Sequence, residues 1–251
     1  MAAPSIAELR EVTQPASIFA RNSGEHWAGR LYMRRVSPYL TRLLLRTAIT
    51  ANGVTWLMIA AGVAAAGVLS LPGLVPALGA ALLIQLQLLL DCADGEVARW
   101  RGASGSPVGV YLDRIGHWLT EAALPIALGV RADEPTLGLI AAVLVLLIKG
   151  ESALVTVARA EAGRPPAGDT REVAAPRPGA LRLVRRALGL IPFYRAFVAV
   201  EATLLALAAA IADVATGDET GSRVLVIALL VATAITAAGH LVAILASDRL
   251  R

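Results

Sequence analysis

Three aspartates lie inside stretches that are otherwise apolar enough to cross a membrane. Asp91 and Asp94 fall in one such stretch, and Asp113 falls in the next. Because a charged side chain in the hydrocarbon region is energetically costly, acids in such positions indicate a functional site. The first stretch places two acids and two small residues on one helical face, at i, i+3, i+4 and i+7: Asp91, Asp94, Gly95 and Ala98.

The second stretch presents a matching face, with Gly109, Asp113 and His117 at i, i+4 and i+8. Carboxylates this close repel one another unless a cation neutralises them. Oxygen-rich sites suit Mg²⁺ or Mn²⁺, which typically bridge substrate phosphates. Since the small residues leave room beside the acids, the pattern predicts a divalent metal that binds a diphosphate.

The composition indicates which elements must position these residues. Of 251 residues, 57% are hydrophobic and 17% are charged, whereas soluble domains average about 45–50% and about 25%. Intrinsic disorder is therefore excluded for most of the length. Cys92 is the only cysteine, which excludes a disulfide-stapled secreted domain.

Six apolar runs are each about 20 residues long, enough to cross a hydrocarbon core of about 30 Å. Turn-forming residues separate them, and no strand alternation appears. Because lipid admits only helices or closed barrels, we expect an all-α integral membrane fold with six transmembrane helices. The predicted spans are 54–72, 76–98, 107–130, 135–159, 194–213 and 223–246.

Arginines concentrate in alternate connections, and the remaining connections carry only Arg131 and Arg223, beside acids. Since cytoplasmic loops carry the excess of Lys and Arg, we expect a multi-pass protein of the cell (inner) membrane. Both termini and the active site would face the cytoplasm. The net charge of +4 lies between the apolar runs, which favours membrane orientation over nucleic-acid binding.

The N-terminal part of the chain has a different character. Residues 26–46 intersperse apolar side chains with arginines, which predicts an amphipathic helix on the inner leaflet, attracted by anionic headgroups. We therefore divide the chain into a cytoplasmic N-terminal segment at 1–50 and a six-helix transmembrane domain at 51–251.

The run from Asp91 to Arg99 resembles the signature of the CDP-alcohol phosphotransferase family. Its pattern, D-x-x-D-G-x-x-A-R, is matched in full, and Gly109 and Asp113 resemble the start of the second half, G-x-x-x-D-x-x-x-D. Upstream, the run 50–55 resembles the family's T-P-N-x-V-T, with alanine in place of proline. Downstream, the run 158–161 resembles the A-R-A-E of phosphatidylglycerol-phosphate and phosphatidylinositol-phosphate synthases.

The resemblance implies an enzyme that displaces CMP from a CDP-linked donor, usually CDP-diacylglycerol, with the hydroxyl of a small alcohol. It implies His117 and Asp113 as catalytic residues, and Mg²⁺ or Mn²⁺ held by these two together with Asp91 and Asp94. The implied donor-binding residues are Thr50, Asn52, Asp91, Gly95, Ala98, Arg99 and Gly109. The implied acceptor-binding residues are Arg159, Lys149 and Arg195.

The last aspartate of the second half is replaced by His117. Histidine can serve as a general base but prefers softer metals than Mg²⁺, so catalysis would be retained, shifted in metal preference or lost. A cation or proton transporter is the alternative from another class, although transporter sites commonly lie near the midplane at a repeat interface. We also expect a structural Glu121–Lys149 ion pair, and the small residues of the third and fourth runs would suit a homodimer interface.

Overall fold

Helices make up the regular structure in the part of the chain that the computed structural model describes, namely residues 4–16, 26–165, 196–246 and 250. The predicted all-α class is confirmed for those residues. In chain order the helices are α1 (Ile6–Thr13), a π-helical turn (Gly29–Met33) that continues into α2 (Arg34–Leu44), α3 (Ala51–Leu69), α4 (Leu74–Trp100), α5 (Pro107–Arg131), α6 (Pro135–Glu161), α7 (Ala199–Thr216) and α8 (Thr220–Leu245).

Five of the described helices, α3, α4, α6, α7 and α8, are long and apolar enough to cross a membrane. These lengths and compositions are typical of a multi-pass membrane protein. Helix α5 has 25 residues, which is sufficient length, but its charged side chains lower its hydropathy. They are Asp113, Arg114, Glu121 and Arg131. The sixth span therefore stays a prediction.

Two helices begin three residues earlier than the predicted spans, and a local side-chain hydrogen bond accompanies each start. Helix α3 begins at Ala51 because the Thr50 hydroxyl accepts a hydrogen bond from the Gly53 amide in the first turn. At the start of α8, the Asp218 carboxylate accepts from the Thr220 amide. Hydrogen bonds from Thr216 and Thr220 hold the pKa of Asp218 below its usual value.

The start of α7 shows the largest difference from a predicted span. The helix begins at Ala199 rather than at 194, and residues 194 and 195 lie outside the described residues. Its last turn ends at Gly217, whose φ of +78° is a left-handed value that glycine adopts without steric cost.

The chain forms two compact units, of which the first comprises residues 1–65 and 82–120. Helix α5 approaches α3 closely at Gly116, where a Cβ atom would lie 2.6 Å from side-chain atoms of Met58 and Ile59. The core of this unit is an apolar cluster on α3 and α4 against which residues of α2 and the following loop pack: Val54, Met58, Ile59, Ala61, Leu90 and Ala93, with Leu40, Leu44 and Ile49.

Helix α2 and the π-helical turn before it occupy part of the predicted amphipathic stretch at 26–46. The side chains that this segment buries include Ser37 and Thr41, whereas Leu31, Tyr39 and Leu43 are exposed. This distribution leaves apolar side chains available to a lipid surface, and the position of the helix on the inner leaflet stays a prediction.

The second unit comprises residues 66–81 and 121–251, and in its described part α8 packs against α6 and α7. Helices α5 and α6 meet at two glycines. A Cβ atom at Gly138 would lie 2.5 Å from the Pro125 carbonyl oxygen and 2.9 Å from the Gly129 Cα. The backbones therefore approach too closely for any side chain at this point, as in other helix pairs packed through small residues.

A buried arginine joins three connections of the second unit. Arg131, at the end of α5, donates to the carbonyl oxygens of Leu71 and Gly73 and to the Ser222 hydroxyl. The Ser222 hydroxyl donates in turn to Asp213 over 2.5 Å. Each nitrogen of this guanidinium therefore has a hydrogen-bond partner, which lowers the cost of burying its charge.

Candidate active site

Helix α4 carries the first half of the signature and ends in a glycine-containing turn. The Ala103 amide donates to the Ala98 carbonyl beyond the helix end, and Gly102 and Gly105 have φ values of +66° and +78°. Left-handed backbone of this kind strains other residues. Pro107 then opens α5, where its fixed φ suits the first helical position. The turn reverses the chain, so the two halves of the signature lie on neighbouring antiparallel helices.

The structure brings together three of the four predicted metal ligands. The His117 Nε2 atom lies 3.0 Å from the Asp91 Oδ1 and 3.6 Å from the Asp113 Oδ1, and one ligand atom from each residue lies within 4.8 Å of the others. All three side chains are half-buried. Two hard oxygens and one imidazole nitrogen at this spacing fit a divalent cation, with the imidazole favouring Mn²⁺ over Mg²⁺.

Asp94, the fourth predicted ligand, has a partner of its own. Its Oδ2 accepts a hydrogen bond of 2.7 Å from the Thr55 hydroxyl on α3, and only 9% of the residue is exposed. The bond joins residues 39 positions apart in sequence. Thr55 therefore fixes the orientation of a carboxylate on the signature face of α4.

A cavity of about 210 Å³ opens beside these acids, within the first unit. The lining includes two of the predicted acids, Asp94 and Asp113, and the Asn52 side chain. At Gly109 a Cβ atom would lie 3.3 Å from the Asn52 Oδ1, so glycine keeps this wall of the cavity open. The remaining lining consists mainly of small residues of the signature and of the α4–α5 turn: Ala51, Thr55, Gly95, Ala98, Arg99, Ala103, Ser104, Gly105, Ser106 and Val110.

Arg99 contributes a positive charge to the lining of this cavity. Its Nε donates to the Thr13 carbonyl oxygen at the end of α1, over 2.5 Å. Its Nη2 atom is buried and has no hydrogen-bond partner among the described residues. The guanidinium lies against Gly95, where a Cβ atom would come within 3.1 Å of the Nη1. A buried donor without an acceptor suits an anionic ligand in the cavity.

Comparison with known protein families identifies the signature. The profile of the CDP-alcohol phosphatidyltransferase family matches residues 48–247 of the 251. The chain belongs to this family. Comparison with curated proteins finds no match.

The members of the CDP-alcohol phosphatidyltransferase family are transferases that act on CDP-alcohols. The family is typically dependent on a divalent metal, and the Asp91, Asp113 and His117 cluster has a suitable donor set. The matched region begins two residues before Thr50, so it includes the upstream stretch as well as both halves of the signature.

The predicted acceptor-binding residues lie apart from this cluster in sequence. Lys149 forms the expected ion pair with Glu121, over 2.7 Å. The Arg159 Nε, in the last turn of α6, donates over 2.9 Å to the carbonyl of Pro165, which lies beyond the helix end. Both belong to the second unit, and Arg195 lies outside the described residues.

Two interactions near the site are not evident from motif reading. The first is the bond from Thr55 to Asp94: Thr55 ends the upstream stretch, yet within that stretch the sequence prediction assigned donor binding only to Thr50 and Asn52. The Thr50 hydroxyl caps α3, and its role in donor binding stays a prediction. Glu96 occupies a variable position of the signature, and the structure buries it completely. The available signal was an additional acid within an apolar helix.

Proposed function

We propose that this protein catalyses attack of an alcohol hydroxyl on a CDP-linked donor, with CDP-diacylglycerol as the preferred donor class. The acceptor oxygen forms a bond to the phosphorus that carries the diacylglycerol, and the bond from that phosphorus to the bridging oxygen breaks. CMP leaves with the bridging oxygen and its electron pair. The products are a phosphodiester lipid and CMP, as in phospholipid biosynthesis.

The donor's cytidine and diphosphate would occupy the cavity of the first unit. Gly95, Ala98 and Gly109 would allow them to approach the helix backbones, and Asn52 offers an amide to the base or sugar. The buried Nη2 atom of Arg99 would donate to a phosphate oxygen. The acyl chains would remain in lipid, because the cavity lies beside α4, a helix long and apolar enough to cross the membrane.

Asp91, Asp113 and His117 would hold Mg²⁺ or Mn²⁺, with Asp94 joining when the donor is bound. The metal would supply charge neutralisation for the diphosphate and the departing CMP. Where it is not a ligand of the metal, the His117 Nε2 would accept the proton of the attacking hydroxyl, because a metal-bound imidazole nitrogen has no free lone pair. Asp113, 3.6 Å from it, would orient the imidazole. The half-buried position of all three side chains leaves them accessible to substrate.

Six spans, with both termini and the cavity on the cytoplasmic side of the cell membrane, complete the proposal. The support is the excess of arginine in alternate connections and the length of α5. Residues 1–50 would form the cytoplasmic segment, and residues 51–251 would form the transmembrane domain. Two copies would associate through the Ala- and Gly-rich surfaces of α5 and α6.

For the acceptor we propose a small, phosphorylated alcohol. Arg159 is the leading candidate for its phosphate, with Arg195 as a second cation. The Lys149 ammonium is neutralised by Glu121 at 2.7 Å, so a supporting role between helices suits it better than direct phosphate binding.

One observation carries the proposal: both halves of the signature line a single cavity, which brings together two of the acids, Asp94 and Asp113, the arginine and the small residues. Purified protein should release CMP from CDP-diacylglycerol in the presence of Mn²⁺ or Mg²⁺ and a panel of alcohols. Asp94→Asn should reduce release to background. Asp133→Asn is the matched control, since Asp133 is exposed and its φ of +55° is well tolerated by asparagine. Ion flux in liposomes without CMP release under any metal would favour a transporter.

A second candidate is a family member without catalysis, favoured by the contacts of His117. When protonated, its imidazole would neutralise Asp91 and Asp113 at 3.0 and 3.6 Å and take the place of a metal. Binding of Mn²⁺, followed by its paramagnetic resonance signal, separates the two. The enzyme should bind Mn²⁺, whereas the non-catalytic protein should bind it only after His117→Asp.

A further inference from the structure

Glu96 is a fully buried acid on helix α4, one residue beyond Gly95. Its carboxylate accepts hydrogen bonds from the Ser37 hydroxyl at 2.5 Å and from the Thr41 hydroxyl at 2.6 Å, both on α2. A third comes from the Gln14 amide at 2.8 Å. The Arg34 Nη1 atom lies 3.7 Å from the carboxylate. A buried carboxylate requires such donors, because an unsatisfied charge in a low dielectric is very costly.

All four partners come from the N-terminal segment. Gln14, which directly follows α1, also donates to the Arg34 carbonyl over 2.8 Å, so Glu96 joins α1 and α2 at one point. The Arg10 side chain adds a further bond between these helices, to the Arg35 carbonyl. The N-terminal helices α1 and α2 are therefore both held to α4 through Glu96.

A second attachment lies one turn further along α4. The Thr13 carbonyl, next to Gln14 in sequence, accepts from the Arg99 Nε. Thr13 itself is fully buried, so the end of α1 is packed against the rest of the first unit. Because residues at i and i+3 share a helix face, Glu96 and Arg99 contact the same N-terminal segment. The orientation of the Arg99 guanidinium at the cavity thus depends on where α1 is held.

We propose that Glu96 is a positioning residue for the donor site. By holding Gln14, it keeps the Thr13 carbonyl where it orients Arg99 over Gly95 towards the cavity. This inference rests on the proposed function, since the purpose of that orientation is to bind the donor's diphosphate. It explains why an acid stands at a position that the signature leaves variable.

The attachment of α1 can be measured without any turnover. In a Cys92→Ala background, a cysteine introduced by Thr13→Cys should be protected from a soluble maleimide, because Thr13 is fully buried. Adding Glu96→Ala should raise the labelling rate by about tenfold or more, since the hydrogen bonds to α1 and α2 are lost. Gln14→Ala should raise it by less, and Glu11→Ala, an exposed change on α1, should leave it unchanged.

The link to Arg99 is tested by a double-mutant cycle on the dissociation constant of CDP. Glu96→Ala should weaken CDP binding about tenfold, as expected for misplacing a charged hydrogen bond, and Glu96→Gln should restore most of the affinity because it keeps an acceptor oxygen. In an Arg99→Ala background, Glu96→Ala should add no further loss. A merely structural role for Glu96 would give multiplied effects instead.

Unchanged labelling after both Glu96→Ala and Gln14→Ala would overturn the inference, as would independent effects of Glu96 and Arg99 on CDP affinity. If Glu96→Ala does not fold, Gln14→Ala decides both measurements. Wild-type protein that binds no CDP would refute the proposed function and with it the donor role of Arg99. The labelling result would then still decide whether Glu96 holds α1.

Discussion

His117 stands where the CDP-alcohol phosphatidyltransferase signature has its last aspartate, and its Nε2 contacts two carboxylates of the cluster. Imidazole differs from a carboxylate in two ways that matter at this position. It brings no negative charge to a divalent cation, and it prefers softer metals. It is nevertheless an effective acceptor for the proton of an attacking hydroxyl.

Replacing His117 should separate its two roles. We expect His117→Ala to lower kcat by about 10²–10⁴-fold, because the general base is lost. His117→Asp should keep substantial activity and move the metal preference from Mn²⁺ towards Mg²⁺, since a carboxylate replaces the imidazole. CMP release, measured with each metal, tests both expectations. Unchanged turnover in the alanine variant would remove histidine from the mechanism.

Thr55 should matter through Asp94. Thr55→Val keeps the shape of the side chain but removes the hydroxyl that donates to the Asp94 Oδ2, so we expect activity or metal affinity to fall about 10–100-fold. Thr55→Ser retains a hydroxyl and should behave like the wild type. Equal activity of the valine and serine variants would show that Asp94 needs no such partner.

Helices α5 and α6 owe their close packing in the second unit to glycines rather than to apolar side chains. The contacts that a Cβ atom at Gly138 would make are with backbone atoms, which cannot rotate away. By contrast, a Cβ atom at Gly150, on the same helix, would meet no atom within 4 Å in the described part of the chain. The two glycines therefore offer a matched comparison.

We expect Gly138→Ala to lower the free energy of unfolding by about 1–3 kcal/mol, the usual cost of overpacking. Gly150→Ala should leave stability unchanged or raise it by up to about 1 kcal/mol, because alanine favours the helix. Melting temperatures of the detergent-solubilised protein provide the measurement. Equal melting temperatures for the two variants would mean that the α5–α6 contact at Gly138 does not form.

The topology of the chain in a membrane depends on whether α5 crosses it. If α5 crosses, the α4–α5 turn and the α5–α6 turn lie on opposite sides, and both termini share the cytoplasmic side. If it does not, the five apolar helices leave the termini on opposite sides. The two acids of α5 reduce its hydropathy, but both face partners within the protein: His117 for Asp113 and Lys149 for Glu121.

Single cysteines in a Cys92→Ala background should resolve this topology. We expect a cysteine at Ala103 to react with an impermeant maleimide from the cytoplasmic side, and one at Asp133 to react from the opposite side, because the intervening helix spans the bilayer. A cysteine at Leu71, between α3 and α4, is the control for the outer side. Labelling of positions 103 and 133 from one side would refute the sixth span.

The sequence alone determined the features that depend on local periodicity. Helical spacing put Asp91, Asp94 and the small residues on one face, and the short turn made α4 and α5 antiparallel neighbours, so the meeting of Asp91, Asp113 and His117 was foreseeable. Helix boundaries were predicted within about three residues at most ends, since apolar runs and turn residues set them. The family followed from the signature, which is itself a local pattern.

The tertiary structure decided which distant segments meet. Nothing local pairs Thr55 with Asp94 over 39 residues, or Gln14 with Glu96 over 82, because side-chain partners across helices depend on crossing geometry that no periodicity encodes. The sequence alone predicted no role for Glu96, and only the packing of α1 and α2 shows that it is a buried acceptor. The role of a buried carboxylate such as Glu96 depends on the hydrogen-bond donors around it, and these donors come from distant parts of the chain.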